Sequence, residues 1–142
     1  MFESLGLQPG DGISQLSPNC VDAALLQLAA WAWGLRYVPL HPMGSAEDHR
    51  FILDDSEIRV LVLHSSKVTP STQLLREAPS VGVVLSHGPC EGACDMAALS
   101  KTFACTALVP ADDPDAVAAV LYTGGTTGRP KGVTLTSAQM VM

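Results

Sequence analysis

The run from Ile58 to Leu63, apolar but for Arg59 and rich in β-branched side chains, is what most limits the folds open to this chain. A short segment that is apolar at successive rather than alternate positions fits a strand covered on both faces, and such strands belong to parallel sheets with helices above and below. Val81 to Leu85 repeats the pattern, and Ala116 to Tyr122 is a further strand that leads into the glycine-rich segment. Helical stretches stand between them. Ser17-Pro18 reads as an N-cap followed by a first-turn proline, and Val21, Ala24, Leu25, Leu28 and Ala32 fall at helical spacing until Gly34. That spacing predicts a buried helix packed on the sheet. Ser45 caps a second helix, with Glu47 and Asp48 in its first turn, where the helix dipole favours acids, and Phe51, Ile52 and Asp55 carrying it onward. Thr69-Pro70 opens a third that runs through Ala78, and Asp95 a short fourth to Lys101. Ile13 to Leu16 is a weaker strand, because Ser14 and Gln15 are poor sheet formers, and in the strand Tyr37 to Leu40 a proline, Pro39, implies an edge position or a strand end. Alternating strands and helices predict an α/β sheet.

At 142 residues the chain has the length of one domain and enough apolar content for a core. Its net charge of −6, with eight scattered basic residues, excludes a nucleic-acid footprint and points to small-molecule chemistry. Met1-Phe2-Glu3-Ser4 lacks the basic and apolar regions of a secretory signal, and the apolar run Val21 to Trp33, broken by Asp22 and Gln27, falls short of the ~20 residues of a membrane span. These features predict a cytoplasmic protein whose four cysteines are free thiols. Cys90 and Cys94, with His87 just before them, have a spacing some zinc sites use, but no second Cys/His pair follows, so they read as a surface loop with small thiols. No internal repeat or low-complexity tract interrupts the chain.

Chemistry concentrates in Leu121-Tyr122-Thr123-Gly124-Gly125-Thr126-Thr127-Gly128-Arg129-Pro130-Lys131-Gly132-Val133. Gly124, Gly125 and Gly128 are able to take positive φ and let the backbone approach a ligand, and successive N–H groups in such turns form an anion-binding concavity. Thr123, Thr126 and Thr127 add hydroxyls, and Lys131 a compact charge suited to phosphate. The Walker loop does not fit, since Arg129 and Pro130 stand five positions after Gly124 and Gly125, and the dinucleotide fingerprint fails at Thr123. Pro130 pushes Arg129 out of the α region, which predicts strand, loop, strand.

Tyr122 through Gly132 resemble the phosphate-binding signature of the adenylate-forming enzymes, Tyr-Thr-Ser-Gly-Ser/Thr-Thr-Gly-x-Pro-Lys-Gly, at every fixed position except Gly124, which replaces the serine. The Gly-Gly form is similar to that of many fatty-acyl-CoA ligases. Upstream, Leu7-Gln8-Pro9-Gly10-Asp11, Ser17-Pro18-Asn19, the alanine-rich helix ending in Gly34, Val38-Pro39-Leu40-His41-Pro42 and Ser45 to Ser56 follow the order of the acyl-CoA ligase N-terminal domain.

The resemblance implies a partial N-terminal domain over residues 1–142, a mostly parallel sheet with flanking helices that ends just after the phosphate loop. It implies a piece of a ligase that joins a carboxylic acid to ATP, with Mg²⁺, and passes the acyl group to coenzyme A. Thr123, Gly124, Gly125, Thr126, Thr127 and Gly128 become the phosphate cradle and Lys131 its charge, while no catalytic or metal-ligating residue is assigned. Arg129 occupies the variable position and reads as a solvated charge, and Tyr122 as a strand-end packing residue. The four histidines His41, His49, His64 and His87 have no Ser/Cys partner pattern, and Asp112, Asp113 and Asp115 read as a turn rather than a metal cluster. Thr136-Ser137-Ala138-Gln139 departs from the family's Thr-His-x-Asn, and the adenine, ribose and acyl motifs and the small C-terminal domain are expected elsewhere than in these residues. Such a piece is expected to be inactive alone and to associate through exposed sheet edges; the alternative is a non-catalytic nucleotide-binding remnant or a partner-dependent subunit.

Overall fold

The computed structural model describes residues 1–69, 72–104, 113–125 and 128–140. Its seven strands form one sheet in the order β5-β4-β3-β1-β2-β6-β7. In chain order they are β1 (Gly12–Leu16), β2 (Arg36–Leu40), β3 (Ile58–His64), β4 (Val83–His87), β5 (Cys94–Asp95), β6 (Val117–Gly125) and β7 (Gly128–Thr136). All pairs are parallel except β6 with β7, which form an antiparallel hairpin at one edge. The helices are α1 (Val21–Ala32), α2 (Ala46–Asp55), α3 (Gln73–Arg76), α4 (Met96–Ser100) and α5 (Ser137–Met140).

The doubly covered strand predicted at Ile58–Leu63 lies inside the sheet, between β1 and β4. Leu61 and Leu63 point to a core they share with Ile52 and Leu53 of α2 and Leu75 of α3, whereas Val60 and Val62 point to the opposite core, with Leu26 and Ala30 of α1. The sheet is thus the middle of three layers. Strand β1 is central despite its polar residues, because the Ser14 hydroxyl donates to Val38 O (2.7 Å) and the Gln15 amide to the Tyr37 hydroxyl (3.1 Å).

Several boundaries differ from the sequence expectation. Strand β2 is internal, so Pro39 does not mark an edge; its missing N–H falls where the ladder to β6 has already ended, since that ladder rests on the pair Tyr37 and Ala119 alone. The N-cap of α1 is Cys20, not Ser17, whose hydroxyl turns to Pro18 O (2.9 Å). Helix α3 stops at Arg76 rather than Ala78, as expected before Pro79, which disfavours helical geometry in the residue ahead of it. The strand expected at Val81–Leu85 runs two residues later, and β5 had no counterpart in the sequence reading. Ser45 caps α2 as predicted, its hydroxyl accepting from Asp48 N (3.0 Å), and Asp95 caps α4 through Ala97 N (3.0 Å). Gly34 ends α1 in the left-handed region, at φ +78°, with Leu35 N donating back to Ala30 O (2.8 Å).

The largest difference is at α1, which is not a buried helix. Val21, Leu25 and Leu28, expected on its core face, are 75%, 57% and 57% exposed, whereas Leu26 and Ala30 are buried. Apolar side chains surround this helix on all sides, so periodicity does not select the face that meets the sheet. Pro70, Cys105, Asp112, Thr126 and Thr127 lie outside the described residues.

Candidate functional site

Strand β6 leaves the sheet between β2 and β7 and carries Thr123, Gly124 and Gly125 at its end; β7 returns with Gly128 and Lys131. The expected strand, loop, strand layout is therefore present as a hairpin. Its register pairs Tyr122 with Gly132, Thr123 with Lys131, and Gly125 with Gly128, with an irregularity between Thr123 and Gly125. Arg129 and Pro130 together face Gly124 across that irregularity, and a proline without an N–H suits a bulged position.

The glycines act differently from expectation. Gly124 and Gly128 do not take positive φ, because both continue extended strands, and a Cβ at either would meet nothing within 4 Å. Their backbone is simply uncovered. Gly132 is the tight one: a Cβ there would stand 2.9 Å from Val120 Cγ1 and 3.1 Å from Tyr122 Cζ.

The hairpin is held at its root. The Tyr122 hydroxyl donates to Asp55 Oδ2 at 2.6 Å, so Tyr122 does more than pack, and burial followed by that carboxylate pushes the phenol up to about 12. The Arg129 guanidinium lies 5.3 Å from the centre of the Phe51 ring, a cation–π contact rather than a purely solvated charge. Lys131 is exposed and, among the described residues, its ammonium has no ion-pair partner; the Thr123 hydroxyl reaches Lys131 O only at 3.5 Å.

Beside the hairpin, at the carboxyl ends of β1 and β2, a cavity of about 830 Å³ opens between α1 and α2. Trp31, Leu40, Ile52, Ala119, Leu121 and Leu135 form apolar parts of its wall, and Gln15, Tyr37, His41 and His49 polar parts. His49 is buried, and its Nε2–H donates to His41 O (2.8 Å); burial holds its pKa below the ordinary imidazole value, with that bond and Asp48 opposing. His87 is also buried and lowered, chiefly by burial, while Asp22 and Asp95 oppose and His64 adds to the shift. Sequence reading missed the cavity because Gln15, Tyr37 and His49 come from separate elements and only the sheet register brings the first two together.

Elsewhere the Cys90 thiol receives a bond from the Arg76 guanidinium (3.0 Å), and Cys94 forms β5. Asp113 Oδ1 accepts from Asp115 N (3.0 Å) in the predicted turn. Among the described residues no group of three or more His, Cys, Asp or Glu is placed to hold a metal, and no helix is long and apolar enough to cross a membrane.

A mostly parallel α/β sheet closed at one edge by an antiparallel glycine-rich hairpin is the scaffold of the N-terminal domain of adenylate-forming enzymes. Residues 1–142 match the family described as AMP-binding enzyme, and the chain belongs to that family. It is 36% identical to the medium/long-chain-fatty-acid–CoA ligase FadD8 of Mycobacterium tuberculosis, over 98% of this chain and 27% of the relative. It superposes on the amide bond synthetase McbA of Marinactinospora thermotolerans with a TM-score of 0.81 and 32% identity, over 96% of this chain and 27% of that one. On the inhibitor-bound N-terminal domain of FACL13 from Mycobacterium tuberculosis the TM-score is 0.79 at 27% identity, covering 96% and 33%. The chain thus spans about a quarter of the length of the curated relative it matches.

Proposed function

We propose that this chain is the phosphate-gripping part of the N-terminal domain of an ATP-dependent carboxylate–CoA ligase, one that forms an acyl-adenylate and then a thioester. One observation carries the reading: the family's signature stands on a hairpin whose root is fixed by Tyr122 and Asp55 while its backbone at Gly124 and Gly128, and the Lys131 ammonium, are open to a ligand. Thr123, Gly124, Gly125, Thr126, Thr127 and Gly128 cradle the β- and γ-phosphates, and Lys131 neutralises charge that grows as pyrophosphate leaves. Gly124 keeps the backbone donor but lacks the serine hydroxyl. The similarity to a fatty-acid ligase and the Gly-Gly form of the loop favour a fatty acid as substrate, with coenzyme A as acceptor.

Magnesium is held in such sites by carboxylates together with the substrate's own phosphates. The hairpin offers hydroxyls, amides and an ammonium rather than carboxylates, so these residues do not form a magnesium cage, and the metal enters this reading only as part of the nucleotide substrate. The free thiols of Cys20, Cys90 and Cys94 accord with the reducing cytoplasm, where ATP and coenzyme A are found.

The share of the family's length present here supports a chain that does not complete the reaction by itself. The exposed apolar stripe of α1 favours a second reading, a nucleotide-binding subunit that acts with a partner chain. Thermal protection tests the grip: ATP and tripolyphosphate should raise the melting temperature, AMP should not, and Lys131→Ala should abolish the effect. Equal protection by AMP, or protection unchanged in Lys131→Ala, removes the assignment. Pyrophosphate release from ATP, Mg²⁺ and a fatty acid should stay at background with this chain alone, and turnover would overturn its incompleteness.

A further inference from the structure

At the amino ends of β1, β2 and β3 a second cavity, of about 430 Å³, is lined by charged and polar groups, with Asp11, Arg36, Glu57 and Arg59 among them. Among the described residues, none from β6 or β7 lines it. Its two arginines are satisfied to very different extents. The Arg59 Nη1 is paired with Asp11 Oδ2 at 2.6 Å, and that same oxygen accepts from Gln8 N (2.7 Å). Arg36 has no ion pair among the described residues. Its Nη2 donates to Ser56 O (2.7 Å), but its Nε is buried without a partner and its Nη1 makes no hydrogen bond among the described residues. A half-buried guanidinium with most of its donors unspent and no carboxylate beside it costs free energy unless an anion completes it.

The guanidinium is also held in place. Gly12, its neighbour in the β1–β2 ladder, makes its seat, because a Cβ there would stand 3.2 Å from Arg36 Nη2 and 2.9 Å from Ile58 Cδ1. Glu57 stands exposed at the rim, beyond ion-pair distance of both arginines, and is the one non-glycine residue at positive φ (+47°) among the described residues. With Asp11 spent on Arg59, the uncompensated positive charge is at Arg36. We propose that this cavity binds a small oxyanion, a carboxylate or phosphate group, whose oxygens accept from the Arg36 guanidinium, a planar fork that matches either group. The Glu57 carboxylate, of the same sign as the ligand, holds its affinity down. The site shares no lining residue with the phosphate hairpin and does not rest on the reading of that hairpin.

The buried Arg36 Nε–H is shielded from exchange with water, so its NMR resonance reports the site directly. Acetate or inorganic phosphate, titrated against chloride at equal ionic strength and neutral pH, should move that resonance saturably, together with the backbone amides of Gly10 and Gly12; the anion that does so identifies the group recognised. Arg36→Gln should weaken this binding at least about tenfold, read at the same amides, with circular dichroism unchanged. Glu57→Gln, at an exposed position, should tighten it about two- to fivefold. Lys131→Ala should leave it unchanged, which separates the site from the hairpin. Absence of saturation with both anions, shifts confined to Arg59, affinity unchanged in Arg36→Gln, no tightening in Glu57→Gln, or loss of binding in Lys131→Ala would each overturn the proposal.

Discussion

Replacing Gly132 with alanine is the sharpest test of how the hairpin is held. The new methyl would stand 2.9 Å from Val120 Cγ1 and 3.1 Å from the Tyr122 ring. Val120 is buried in the α2 core, and the Tyr122 hydroxyl is tied to Asp55, so neither neighbour yields without losing packing or a hydrogen bond. Overpacking of this kind costs about 1–3 kcal/mol, which for a chain of this size lowers the melting temperature by roughly 3–10 °C. Gly124→Ser is the matched control, since its Cβ meets nothing within 4 Å and its φ lies outside the positive range; it should change stability by no more than about 0.5 kcal/mol. Urea unfolding followed by circular dichroism measures both. A coupling test completes the argument: Val120→Ala should cost less in the Gly132→Ala background than in the parent, because the smaller side chain relieves the contact. A Gly132→Ala curve that superposes on the parent, or additive effects in the double variant, would refute the picture of a root fixed by close approach.

His49 and His87 are both lowered from 6.5 by burial, so the unfolded chain binds more protons below that pH, and stability should fall as pH drops from 6.5 toward the folded values; denaturant titrations across that window should flatten when both are replaced by glutamine. Tyr37 and Tyr122 are raised from 10.0 to about 12, so stability should also fall as pH rises through that interval, less steeply in Tyr37→Phe. Leu25→Glu with Leu28→Glu on the outer face of α1 should leave the fold intact and suppress concentration-dependent association in sedimentation velocity; equal association in the variant would move the contact to the sheet edges. Arg129→Ala should cost about 0.5–1 kcal/mol through loss of its contact with Phe51, and a Phe51→Leu chain should no longer respond to it.

The layered sheet was legible because β3 buries both faces and says so in consecutive apolar residues, and α2 was legible because its cap and first-turn acids are local signals. Helix α1 defeated periodicity: apolar on every side, it shows the sheet Leu26 and Ala30 while the stripe that looked like a core face is left outside. Of the two places a proline suits in a strand, edge or end, Pro39 takes the end: β2 is internal, and its missing N–H falls past the end of a short ladder. The hairpin was read correctly as strand, loop, strand, yet the need for Gly132 rests on Val120 and Tyr122 of the facing strand, and no spacing within the loop displays it. The Gln15, Tyr37 and His87 chain joins three strands up to 72 residues apart, so only register could reveal it.

The separation between a fixed root and an uncovered tip has a consequence for how this hairpin tolerates change. Residues that anchor it, Tyr122, Gly132 and Asp55, bear on the fold, whereas Gly124 and Gly128 touch nothing that a side chain would disturb. Substitutions at the tip are therefore nearly free of stability cost, and under the proposed phosphate grip they would act on the ligand alone. A library at positions 124 and 128 would sample affinity on a constant scaffold, and the same arrangement would let the proposed nucleotide grip be retuned without rebuilding the sheet that carries it.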